Sequence, residues 1–138
     1  KQYNFTIVEV GVTNASEVAA AVTTVISKGV DCINNFTDNN VVNNLSTLIH
    51  AADEANIPVF GSEVEQVKNG CIASESIDYV ELGRETGRIA AKILDGEKAS
   101  EMPVALISAS EPVYNKKVAQ RFNINLPDAY ADAEDVGE

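Results

Sequence analysis

Four short polar runs stand out for side chains that can donate, accept or carry charge: Thr13-Asn14, Thr37-Asp38-Asn39, Ser62-Glu63 and the stretch from Ser76 to Tyr79. Their chemistry is hydrogen bonding and charge pairing. The patterns that would signal catalysis are missing. There is no GxSxG, no GxxxxGK[ST], and no GxGxxG after the first strand, so neither a nucleophile elbow, a phosphate loop nor a dinucleotide fingerprint can be drawn. The single histidine, His50, has no HExxH or HxxE companion and lies beside an apolar stripe, which reads as a solvated helix residue. No enzyme activity, cofactor or metal is expected.

Each polar run follows a predicted strand. Phe5 to Val12 is β-branched and aromatic, Asp31 to Phe36 and Ile57 to Gly61 are short apolar runs, and Cys71 to Ser74 follows the Asn69-Gly70 turn. Helices alternate with them. Asn14 with Glu17 has capping-box spacing ahead of a helix from Ser16 to Lys28, which Gly29 ends. Asp38 or Asn39 caps a second helix, with Val41, Val42, Leu45, Leu48, Ile49 and Ala52 in one stripe. One or two helical turns are predicted around Ser62 to Lys68. Asp78 caps a long helix with Val80, Leu82, Ile89, Ala90, Ile93 and Leu94 facing inward, up to Gly96. Pro103 to Ser108 reads as a last strand and Asn115 to Phe122 as a short amphipathic helix.

Alternating strands and helices predict an α/β fold, a three-layer αβα sandwich on a mainly parallel sheet. In such sheets ligands bind beyond the carboxyl ends of the strands, where the four polar runs fall. Asn14, Asp38 and Asp78 can also be helix caps and nothing more. In Thr37-Asp38-Asn39, however, one cap explains one residue of three.

Composition narrows the partners. The 138 residues are 45% hydrophobic and 22% charged, ordinary for one globular domain, and the net charge of -11 disfavours nucleic acid or an anionic membrane as a partner. No apolar run approaches the ~18 residues of a membrane span. No targeting signal is visible in the sequence, so any such signal is expected outside it. Four Asn-x-Ser/Thr triplets start at Asn4, Asn14, Asn35 and Asn44. They reflect an asparagine-rich composition, since Asn35 lies in a strand and Asn14 in a cap.

Several segments together resemble a known family. They are VGVTNASEV (Val10 to Val18), FTDNNVV (Phe36 to Val42), ANIPVFGSEVEQVKNGCIA (Ala55 to Ala73), IDYVELGRETGRIAAKILDGE (Ile77 to Glu97) and VYNKKVAQRFNINLP (Val113 to Pro127). The chain is similar to substrate-binding proteins of ABC importers in the type I periplasmic-binding-protein superfamily, in the branch associated with tryptophan and tyrosine uptake. The resemblance covers about residues 7 to 127. It implies two α/β lobes that close on a solute and present it to a membrane permease, outside the cytoplasm and anchored as a lipoprotein. This chain resembles the C-terminal lobe, without that lobe's first strand and helix: residues 1–110 form the lobe, 111–127 return to the N-terminal lobe, and 128–138 are a mobile acidic tail. For an amino-acid ligand, Asp38 would face the ammonium group. Thr13, Asn14, Thr37, Asn39 and Ser62 would supply the polar remainder, and Glu63 and Tyr79 could line the pocket, Tyr79 being equally readable as a core residue. A ligand-sensing domain of a regulator and an enzyme on a flavodoxin-like sheet are the competing readings. The family usually carries an aspartate after the third strand, where this sequence has Gly61-Ser62-Glu63, which bears on the ligand's identity.

Two further expectations follow. Cys32 and Cys71 sit on strands separated by Ile57–Gly61, so ~10 Å should divide their Cα atoms, too far for a disulfide, and each reads as a small buried residue. The missing strand would leave a gap between Phe5–Val12 and Asp31–Phe36, to be filled by self-association or by residues outside this chain rather than by direct closure.

Overall fold

The computed structural model describes residues 4–107 and 110–137. Its core is a short parallel ladder. Strand β1 (Ile33–Asn34) pairs parallel with β2 (Val59–Phe60), Ile33 opposite Val59 and Asn34 opposite Phe60. Hydrogen bonds from Ile72 N to Val59 O (2.8 Å) and from Gly61 N to Ala73 O (3.0 Å) bring the next segment in beside β2. The order of the segments holding Cys32, Val59 and Cys71 is therefore the expected one, and both cysteines are free thiols.

Around this ladder lie α1 (Val18–Ser27), α2 (Asn39–Val42), α3 (Leu45–Glu54) and α4 (Val64–Lys68). Val18 and Val22 from α1 meet Leu45, Leu48 and Ala52 from α3 in one buried cluster with Val59, Val67, Cys71 and Val113. Gly29, at φ +68°, ends α1 as predicted. The second helix is interrupted. Asn43 and Asn44 separate α2 from α3, and Asn44 Nδ2 donates to Asn40 O at 2.8 Å, the local side-chain competition that makes asparagine a poor helix residue.

Beyond Ala73 the pairing changes sense. Strand β3 (Ala73–Ile77) pairs antiparallel with β4 (Ser110–Tyr114) over five residue pairs, and β4 pairs parallel with β5 (Glu134–Asp135). The sequence missed β4, because Glu111 and Pro112 do not read as a strand interior; at this point Pro112 sits opposite Glu75. The α/β class stands, but the strands fall in two sheets, parallel β1-β2 and mixed β3-β4-β5, and the longest ladder is antiparallel.

Four other expectations are corrected. Residues 5–12 form no strand, although Val8, Val10 and Val12 are half-buried in alternation. A ladder needs a neighbour, and none pairs with this segment among the described residues, Asp31–Phe36 included. Residues 103–107 form no strand either, with Val104 and Leu106 exposed, and Ser108 lies outside the described residues. The long helix α5 (Tyr79–Leu94) forms where predicted, yet none of Val80, Leu82, Ile89, Ala90, Ile93 and Leu94 is buried; Leu94 is 88% exposed. Local forces hold this helix: the Asp78 carboxylate caps Val80 N and Glu81 N, and Arg88 pairs with Glu81 and Glu85. Finally, the acidic tail is docked rather than mobile. Asp135 Oδ1 accepts from Lys116 N at 3.1 Å, Val136 N donates to Tyr114 O at 2.8 Å, and Val136 packs against the core. An open edge on β4 provides the backbone partners that composition does not reveal.

The last helix, α6 (Lys116–Arg121), is N-capped by the buried Asn115, whose Oδ1 accepts from Val118 N. Arg121 makes a two-point pair with Asp53 of α3 and lies over the Phe122 ring at 4.8 Å, fastening this terminal segment to the core.

Candidate functional site

Two of the polar runs come together at the carboxyl ends of β1 and β2. After β1 the chain runs through Asn35 and Phe36 into Thr37-Asp38-Asn39. After β2 it runs through Gly61 into Ser62-Glu63. The Ser62 hydroxyl donates to the Asn35 carbonyl at 2.6 Å, so the two loops touch. That bond also limits Ser62. Its only proton is engaged, which leaves the oxygen free to accept, as an ammonium group would require, and not to donate to a carboxylate.

Asp38 does cap α2: its Oδ1 accepts from Asn40 N at 2.9 Å and Val41 N at 3.4 Å. Its Oδ2 accepts no hydrogen bond among the described residues, and the side chain is exposed. Thr37 and Asn39 flank it, both exposed and with no side-chain hydrogen bond among the described residues. The expectation that the cap explains one residue of the three therefore holds. Glu63 has a cap role that the sequence reading did not assign. Its carboxylate accepts from Gln66 N at 2.8 Å and Glu65 N at 3.0 Å, starting α4.

Thr13 and Asn14 are tied up locally. The Glu17 carboxylate accepts from Thr13 N at 2.8 Å and from Thr13 Oγ1, while Asn14 Nδ2 donates to Glu17 and Asn14 Oδ1 accepts from Ser16 N. In place of a simple capping box, Glu17 reaches back to the Thr13 backbone N–H and hydroxyl as well as to the Asn14 side chain. These bonds, the Thr13 backbone N–H first, hold the Glu17 carboxyl below its ordinary range. Tyr79, at the start of α5, is 53% exposed, so it is not a core residue.

Sequence reasoning missed three neighbours of the site. Phe36 is 74% exposed immediately before Thr37, an aromatic face open at the end of β1. Asn35 is 4% exposed and its Nδ2 finds no partner among the described residues, a donor that calls for an acceptor. Gln66 is fully buried and touches both loops. Only Phe36 carried a signal, as an aromatic at a strand's carboxyl end.

Burial, with the Glu63 charge adding to it, pushes the Cys71 thiol up to about 12, so it is inert. Cys32, expected to be buried, is exposed, because the short β1 lacks a neighbour on its outer side among the described residues. His50 is exposed on α3, 3.7 Å from Glu54, a solvated helix histidine as read. Among the described residues no cluster of His, Cys, Asp or Glu could hold a metal ion, and no helix is long and apolar enough to cross a membrane.

Comparison with known proteins identifies the family. A family model described as ABC transporter substrate binding protein matches residues 1–135. The chain is 32% identical over 124 residues to a tyrosine-binding protein of Clostridioides difficile, covering 90% of this chain and 36% of that protein. Among solved structures it resembles an ABC domain from Streptococcus pneumoniae in complex with L-Trp (TM-score 0.85, 29% identity), covering 96% of this chain and 45% of that one. It also resembles a conserved domain protein from Vibrio cholerae (TM-score 0.84, 30% identity) with the same coverage. The chain thus spans about a third of the length of the curated relative and under half of these solved chains. By the family match and by the fold, the chain belongs to the ABC transporter substrate-binding proteins.

Proposed function

We propose that this chain is a ligand-binding lobe of the solute-binding component of an ABC uptake system, and that the solute is an aromatic amino acid. The observation that carries the reading is the exposed Asp38 carboxylate, with Oδ2 free of hydrogen bonds among the described residues, in the loop after β1 to which Ser62 reaches across at Asn35. Asp38 Oδ2 offers an ammonium group a negative charge, and Ser62 Oγ, on the neighbouring loop, offers an acceptor. Thr37 and Asn39 add donors for a carboxylate, and the exposed ring of Phe36, next to Thr37 in the chain, suits an aromatic side chain. The tyrosine-binding relative and the L-Trp complex support that solute class.

In this reading residues 1–110 contribute to the lobe, and the uncovered faces of α5 and residues 103–107 belong against further protein. The lobe acts by binding alone. Closure around the solute is favoured by differential affinity, and the closed form is what a membrane permease recognises. The protein works outside the cytoplasm, held at the membrane by a lipid anchor.

The test is titration calorimetry of the full-length protein with L-tyrosine and L-tryptophan, and with L-lysine as a control. Saturable heat with either aromatic amino acid and none with lysine is the expected result. No heat with any amino acid would refute the reading.

A further inference from the structure

Gln66 is an unusual core residue. It is fully buried on α4, yet both ends of its side-chain amide are engaged with backbone from two different loops. Its Oε1 accepts from Ser62 N at 2.8 Å, and its Nε2 donates to Phe36 O at 3.2 Å. One amide thus spans the loop after β1 and the loop after β2. An apolar side chain of the same size would fill the space without needing partners, whereas a buried amide is tolerated only when both of its groups are satisfied.

Gly61 completes the arrangement from the other side. A Cβ there would lie 3.0 Å from Gln66 Oε1 and 3.1 Å from Gln66 Cβ, so the close approach of the β2 loop to the amide depends on glycine. Glu63 then fixes the start of α4 by accepting from Gln66 N, so the residue that makes the bridge is itself held.

We propose that Gln66 is a positioning residue for ligand binding: it clamps the Phe36–Asn39 and Ser62–Glu63 loops in one relative register, so that the half-site is formed before the solute arrives. The inference rests on the reading above that these loops hold the solute. Ordering the loops at folding removes that cost from the binding step, so loss of the clamp weakens affinity more than stability.

The experiment uses the full-length protein and three variants. Gln66→Met keeps the volume and removes both hydrogen bonds. Gly61→Ala presses on the clamp from the loop side. Val67→Ala, the next residue on α4 and also fully buried, damages the core without touching the clamp. The readouts are Kd for L-tryptophan and L-tyrosine, the thermal midpoint, and amide hydrogen exchange. Gln66→Met should bind about tenfold more weakly or worse, and Gly61→Ala at least about threefold. In both, Ser62 N–H and the amides of 36–39 should exchange faster while α3 stays protected. Val67→Ala should lower the midpoint with Kd within about twofold of wild type. Equal weakening by Val67→Ala, or wild-type Kd in both clamp variants, overturns the proposal. If Gln66→Met does not fold, Gly61→Ala decides on the same criteria. If the wild type binds neither amino acid, the functional reading fails by itself, and the clamp stands or falls on whether the two loops exchange faster in the variants.

Discussion

Asn35 and Ser62, 27 residues apart in sequence, are joined by a 2.6 Å hydrogen bond from the Ser62 hydroxyl to the Asn35 carbonyl. It is the direct contact between the two loops at the crest of the parallel ladder. Ser62→Ala removes it and leaves a carbonyl on a buried residue without that donor. A fall of about 1 kcal/mol in unfolding free energy is expected by urea denaturation. A variant as stable as wild type would show that the loops are held by Gln66 alone.

Asp38 has two roles that substitution can separate. Asparagine caps a helix about as well as aspartate, so Asp38→Asn should leave the thermal midpoint nearly unchanged while removing the charge. Affinity for an amino acid should then drop by about 1.5–3 kcal/mol, the worth of a hydrogen bond to a charged group. Asp38→Ala should lose the same affinity and also about 1 kcal/mol of stability with the cap. Calorimetry beside melting curves distinguishes these outcomes; full affinity in Asp38→Asn would leave the residue as a cap only.

Glu17 makes folding sensitive to acid. Its folded carboxyl titrates below the ordinary value of 4.5, chiefly because it accepts from Thr13 N. A depressed folded value stabilises the fold above the unfolded pKa, and that contribution disappears as the pH falls from about 4.5 through the folded pKa. Melting curves between about pH 3 and 7 should show a shallower acid limb in Glu17→Gln than in wild type. Identical limbs would mean that the cap cluster does not persist in solution.

The cysteines should differ in reactivity. Cys32 is exposed, and Cys71 is buried with its thiol pushed up to about 12, so a thiol reagent should label Cys32 in the native protein and Cys71 only after unfolding. Native labelling at Cys71 would contradict the packing around β2. Non-reducing mass spectrometry should find no bond between the two, since β2 lies between their segments.

Much of the local structure was legible before any coordinates. Asn14, Asp38, Asp78 and Asn115 stand at helix starts because a short polar side chain can accept from the first free N–H groups. Gly29 ends α1 because glycine adopts positive φ without strain. The Leu45, Leu48 and Ala52 stripe is buried, as helical spacing requires. These are interactions within a few residues, and a sequence states them directly.

Whether an apolar segment is covered depends on what lies beside it, and that is not local. Residues 5–12 and 103–107 have strand composition but no ladder among the described residues, and α5 is amphipathic with an open face. Conversely, the acidic tail docks because β4 offers it an edge, and Glu134–Asp135 take it despite their charge. The site divides in the same way. The sequence by itself determined the two polar runs that follow β1 and β2, and the family the chain resembles. Only the tertiary structure decided which of those residues keep free hydrogen-bonding groups, and that Gln66 bridges two of the loops, because a long-range hydrogen bond leaves no periodicity for a sequence to show.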